Sequence, residues 1–221
     1  MCNQNTDAAF QLIKKVRMKR IFVTGIGTDV GKTIVSAVLV EALNADYWKP
    51  VQTGSFFSND TKEVKRIVSN KKSIFHPECY LLKQPMSPHA AAELEGVEIQ
   101  MEQLDLPKTK NHLIIEGAGG LMVPLNRKYF MIDLIQKFDA EVVLVVKNYL
   151  GSINHTLLSI DALKHRGIKI LGLIINEEPH ELSESIILQY SGLKLLGRID
   201  KEPVIKKEMI EKYAAQFKFL G

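Results

Sequence analysis

The residues with the clearest capacity for chemistry lie in Thr24-Gly25-Ile26-Gly27-Thr28-Asp29-Val30-Gly31-Lys32-Thr33. A glycine-rich turn that opens a helix lets successive backbone N–H groups converge on an anion. A lysine there adds a full charge, and a Ser or Thr hydroxyl reaches Mg²⁺. Lys32 and Thr33 fill those two places. Five residues rather than the common four separate Gly25 from Gly31, so the loop is a one-residue-longer variant. Glu116 follows three apolar residues and precedes Gly117-Ala118-Gly119-Gly120, where a nucleotide-binding sheet places an acidic Mg²⁺ partner. Lys49 stands between Trp48 and Pro50 at the end of an apolar stretch. Two lysines aimed at one site suit phosphoryl transfer, where positioning and electrostatics do most of the work. Taken alone, Lys49 also reads as surface and Asp60 as a solvated loop acid. Asn176 closes another apolar run, and its amide could read a purine edge or cap the next element.

These residues need elements to carry them. The run over 21–23 predicts a buried strand leading into the loop, and 34–43 predicts a helix buried on more than one side. Further strands are expected over 46–51, at 113–115 ending in Glu116, over 142–146, over 168–175 ending at Asn176, and over 193–199. Helices are expected over 61–69, 153–165 and 204–217, with a polar loop at 54–60 and another at 148–152. Between 73 and 96, Pro77, Pro85 and Pro88 interrupt short apolar pieces, which predicts an irregular excursion able to cover or line a pocket. Continuous apolar strands alternating with helices predict an α/β fold: a doubly wound, mostly parallel sheet with helices on both faces, of the P-loop NTPase type. Ligands in such sheets sit beyond the carboxyl ends of the strands, where the residues named above fall.

The 221 residues suffice for one sizeable domain, expected over 19–221, while Met1–Arg17 reads as a disordered tail preceding a possible start at Met18. A net charge of +4 with scattered lysines gives no basic stripe, so no nucleic-acid partner is expected. No apolar run approaches the ~18 residues of a membrane span. The opening residues lack the apolar block of a secretory signal, and Cys2 and Cys79 have no metal-ligand or disulfide spacing; a cytoplasmic protein is expected. No nucleophile elbow or triad spacing appears among the histidines.

The sequence resembles dethiobiotin synthetase. The resemblance rests on the long-loop form ending Gly31-Lys32-Thr33, on Lys49-Pro50-Val51-Gln52-Thr53-Gly54-Ser55, on Ser87-Pro88-His89 and on Glu116-Gly117-Ala118-Gly119-Gly120. It continues through Leu150-Gly151-Ser152-Ile153-Asn154-His155 and Asn176, in the family's order from about Lys19 to Asp200. It implies an ATP- and Mg²⁺-dependent ligase of biotin synthesis acting on 7,8-diaminononanoate and CO₂ or bicarbonate. One amine is carbamylated, ATP phosphorylates the carbamate to a mixed anhydride, and the second amine closes the ureido ring. The implied nucleotide contacts are Gly27, Thr28, Asp29, Val30, Gly31, Lys32, Thr33, Ile34 and Asn176. Thr33, Asp60 and Glu116 would hold Mg²⁺. Lys49 and Lys32 would be catalytic, with Thr53 beside Lys49. Gly151, Ser152, Ile153 and Asn154 would bind the substrate's carboxylate tail from a neighbouring subunit, implying a homodimer.

Two departures stand out. Asp29 occupies a position where members often carry glutamate, and Gly197-Arg198-Ile199-Asp200 lacks the proline of the family's Gly-x-Ile-Pro turn, which predicts weaker discrimination between ATP and other triphosphates. The alternative function within this architecture is a partitioning or site-positioning ATPase switch of the ParA and MinD type. Such proteins carry an early loop lysine, absent from Ile26-Gly27-Thr28. A cobalamin-pathway amide ligase would need a glutamine-hydrolysing domain for which this length leaves no room.

Overall fold

The computed structural model describes residues 18–55 and 59–221. The expected N-terminal tail lies outside the described residues, as does part of the 54–60 loop. β1 (Arg20–Gly25) is the central strand of a seven-stranded sheet, flanked by β6 (Leu113–Gly120) and β7 (Glu141–Lys147). Beyond β6 lie β2 (Asp46–Trp48) and the edge strand β4 (Phe75–His76). Beyond β7 lie β8 (Ile170–Asn176) and β9 (Leu195–Ile199). Every neighbouring pair in this sheet is parallel.

Parallel strands covered on both faces must be apolar on both, and Ile21, Phe22, Val23, Ile114, Ile115 and Val142 through Val146 are accordingly removed from solvent. The chain leaves β1 toward β2 through α1 (Lys32–Leu43), and later crosses β1 to run outward from β7 through α5 (Ser152–His165) and α6 (Glu181–Ser191). Right-handed crossovers running in opposite directions from one strand place their helices on opposite faces. Thus α1 packs with α2 (Asp60–Ile67) and α7 (Lys207–Ala214), while α5 packs with α6. The reversal point of such a sheet opens a crevice at the strands' carboxyl ends, here beyond β1.

Several elements differ from expectation. The second strand stops at Trp48 instead of reaching 51. Pro50 has no N–H to donate, and its carbonyl instead accepts from Cys79 and Tyr80; β3 (Val51–Gln52) then pairs with β5 (Tyr80–Leu81) in a separate parallel ribbon. The 73–96 excursion is more ordered than its prolines suggest, holding β4, β5 and α3 (Pro88–Leu94), with Pro88 in the first turn where its missing N–H costs nothing. Glu116 does not end its strand. β6 continues through its glycines to Gly120, and position 117 has no room for a side chain, since a Cβ there would meet the Phe22 ring at 2.8 Å. Finally, α4 (Met131–Lys137) and α6 join the expected helices, and the C-terminal helix divides into α7 and a 3₁₀ segment, Ala215–Leu220.

Candidate active site

The loop between β1 and α1 is fixed by backbone geometry. Gly31 has φ of 93°, and a Cβ there would lie 2.2 Å from Asn176 Nδ2. Only glycine occupies this position without strain. Asn176, at the end of β8, donates from Nδ2 to the Val30 carbonyl at 3.2 Å, so two sequence-distant predicted residues meet. Asp29 adopts the left-handed conformation with φ of 55°, which Asp tolerates better than most residues. Lys32 begins α1, and its Nζ donates to the Gly27 carbonyl at 3.0 Å; Ile34 is half-buried two residues on.

Around this loop the structure gathers a compact charged cluster. Lys49 Nζ lies 2.9 Å from Glu116 Oε1 and 2.7 Å from Asp60 Oδ2. Thr33 Oγ1 donates to the same Glu116 oxygen at 3.0 Å, and the buried Tyr47 hydroxyl donates to Glu116 Oε2 at 2.9 Å. Asp60 is the first residue of α2 rather than a solvated loop acid. Asn59 caps that helix by accepting from the Lys62 N–H, and the Asp60 N–H donates to Gln52 Oε1. The cap and the Gln52 bond aim the carboxylate inward.

Burial acts most strongly on Lys32, and the nearby Lys49 charge adds to it, so the Lys32 ammonium is lowered to about 8. Burial also works against the charge on Lys49. There the Glu116 and Asp60 carboxylates outweigh it, and the net shift is upward. Burial and the Glu116 charge push the Tyr47 phenol well above its ordinary value, so it stays a donor.

Lys32, Lys49, Asp60 and Glu116 border a cavity of about 460 Å³ that also touches Thr28, Asp29, Thr53 and the 85–88 segment. The four residues Gly151, Ser152, Ile153 and Asn154 do not line it; Gly151, at φ of 102°, caps α5, and the other three form its first turn. Tyr47 and Gln52 were not singled out from the sequence. Strand alternation offered a signal for Tyr47, because residues two apart share a face and Lys49 is two residues on.

Among the described residues no group of three or more His, Cys, Asp or Glu side chains could hold a metal alone. Mg²⁺ does not need one, since it keeps several waters and is commonly held by one or two carboxylates together with phosphate oxygens. Thr33 Oγ1, Glu116 Oε1 and Asp60 Oδ2 are hard oxygen donors joined through shared contacts: Thr33 bonds Glu116 Oε1, and the Lys49 ammonium bridges that oxygen and Asp60 Oδ2. The donor set fits the ion.

A phosphate-type loop at the reversal point of a parallel sheet, with a buried lysine and paired acids beside it, defines a P-loop nucleotide-binding protein of the α/β class. Solved structures agree on the fold. A plasmid partition protein from Borrelia burgdorferi bound to AMPPNP superposes with a TM-score of 0.55 at 12% identity, over 92% of this chain and 98% of that one. The cell division ATPase MinD of Pyrococcus furiosus gives 0.51 at 16%, over 92% and 100%. At such identities the likeness concerns fold alone. An AAA domain profile matches residues 19–209. Much closer are the ATP-dependent dethiobiotin synthetases of Christiangramia forsetii, 51% identical over 90% of this chain and 96% of the relative, and of Cytophaga hutchinsonii, 52% identical over 90% and 97%. The chain belongs to the dethiobiotin synthetase family.

Proposed function

We propose that this protein is an ATP-dependent ligase that makes dethiobiotin from 7,8-diaminononanoate and CO₂ in biotin biosynthesis. The carrying observation is 51–52% identity along 90% of the chain to enzymes named for that reaction. The site's chemistry supports it. One amine nitrogen bonds to CO₂ and gives up a proton to form a carbamate. A carbamate oxygen attacks the γ-phosphorus, its bond to the ADP oxygen breaks, and ADP leaves. The second amine then attacks the carbamoyl carbon and phosphate departs, closing the ureido ring.

Charge accumulates on the carbamate and on the transferring phosphoryl group. Lys49, kept cationic in a nearly dry setting by two carboxylates, faces the cavity where that charge develops. Lys32 and the N–H groups of Gly27 through Ile34 would hold the β- and γ-phosphates, and Thr53 would sit beside the carbamate. Mg²⁺ held by Thr33, Asp60 and Glu116 would neutralise phosphate charge. Asn176 spends its NH₂ group on Val30, leaving Oδ1 to accept from an exocyclic base amine.

Gly151 through Asn154 lie away from the cavity, which accords with service to a neighbouring subunit's substrate tail and hence a homodimer. We read 19–221 as one catalytic domain acting in the cytoplasm; no helix among the described residues is long and apolar enough to cross a membrane. Supplying the purified protein with ATP, Mg²⁺, the diamine and ¹³C-bicarbonate tests the reading. Dethiobiotin carrying ¹³C in its ureido carbon is expected, and unlabelled or absent product contradicts it.

A further inference from the structure

Glu116 is only 1% exposed, and its two oxygens have different partners. Oε1 accepts from Thr33 and Lys49, both of which border the cavity or its phosphate loop. Oε2 accepts from Tyr47. Tyr47 itself is fully buried in β2, in register with Ile114 of β6 on one side and Phe75 of β4 on the other. Its ring stands 6.1 Å from the Phe75 ring, tilted by 44°, and its N–H donates to the Ile74 carbonyl. The hydroxyl is therefore delivered by a rigid part of the sheet, on the side of Glu116 away from Thr33 and Lys49.

We infer that Tyr47 is the positioning residue of this site: by engaging Oε2 it fixes the Glu116 carboxylate so that Oε1 alone is presented to Thr33, Lys49 and the metal-bound nucleotide. This rests on the proposed role of Glu116 as an Mg²⁺ partner and extends it to a residue that touches neither nucleotide nor substrate. Partners that orient a metal-binding carboxylate commonly change metal affinity or activity by about 10- to 100-fold when removed. Tyr47→Phe keeps the ring and its contacts with Phe75, and deletes only the donor.

The test is ADP affinity of the full chain, measured by calorimetry with and without Mg²⁺, so that no turnover is required. Wild type is expected to bind ADP more tightly with Mg²⁺. Tyr47→Phe should lose about tenfold or more of that enhancement while its metal-free ADP affinity stays within about twofold. In a Glu116→Gln background the same substitution should add little, since both act through one carboxylate. In the dethiobiotin assay the variant should need more Mg²⁺ for half-maximal rate, with KM for the diamine unchanged. An Mg²⁺ enhancement in Tyr47→Phe equal to wild type, or full additivity with Glu116→Gln, overturns the role of Tyr47 alone. A wild-type ADP affinity that ignores Mg²⁺ overturns the metal assignment and this role with it.

Discussion

The ammonium of Lys49 and the carboxylate of Glu116 form an ion pair of 2.9 Å with both side chains at or below 5% exposure. Removing one member of a buried pair leaves the other uncompensated, at a cost of about 3–5 kcal/mol. In Lys49→Met the Glu116 and Asp60 carboxylates would face each other without their shared cation. The variant should unfold at lower denaturant concentration and lose about 10²–10³-fold in turnover, the usual effect of removing one group that stabilises the transition state. Glu116→Gln should lose comparable turnover. Equilibrium denaturation and steady-state ADP release measure both losses.

Lys32 carries the pH dependence. Its ammonium is lowered to about 8, so below pH 8 it is charged; in the proposed phosphate-binding role its attraction for the phosphates would be lost as pH rises through 8. The alkaline limb of kcat/KM for ATP should bend near pH 8. Because the Lys49 charge is the second cause of the lowering, ADP binding by Lys49→Met should persist to higher pH than in wild type, as a titration series would show.

Gly31→Ala should damage nucleotide binding without touching any charge. A non-glycine residue in the left-handed region costs roughly 1–2 kcal/mol. The added methyl would also meet the Asn176 amide, which must move off Val30. ATP affinity of Gly31→Ala should fall by about tenfold, which calorimetric titration against wild type checks.

Base selectivity follows from the turn after β9. Where a proline would stiffen it, the Asp200 N–H donates to the Tyr213 hydroxyl at 3.2 Å, and that hydroxyl's one proton lies between the Glu202 carboxylate at 2.8 Å and the Asp200 carboxylate at 3.2 Å. Hydrogen bonds can be re-formed in other arrangements; a pyrrolidine ring cannot. On the proposed reading discrimination rests mainly on Asn176, and one hydrogen bond contributes about 0.5–1.5 kcal/mol net. ATP should be preferred over GTP by no more than roughly tenfold in competition binding. A preference of several hundredfold contradicts this.

The legible part of the site was local. Strand, glycine loop, Lys32 and Thr33 are contiguous, so periodicity and spacing reveal them together, and the apolar run before Glu116 places that acid at the same edge. Asp60 was harder, because its inward aim depends on the Asn59 cap and on Gln52, a residue of another element. The second strand was overextended because Val51 is apolar, although Pro50 already removes the ladder donor. Helix α4 is seven residues long, too short for its four buried apolar residues to establish a helical period, and α6 leaves apolar Leu182 and Tyr190 exposed, which blurs its face. In α6 only Glu184, Ile187 and Ser191 are buried, and Glu184 is held there by an ion pair with Arg198 that no local pattern announces.

The most direct measurement is ADP release by the purified protein in Mg²⁺ and ATP, with and without 7,8-diaminononanoate plus bicarbonate. A dethiobiotin synthetase should release ADP only with the diamine, one ADP for each dethiobiotin. ADP release that ignores the diamine and rises instead with DNA or lipid would contradict the ligase assignment in favour of an ATPase switch.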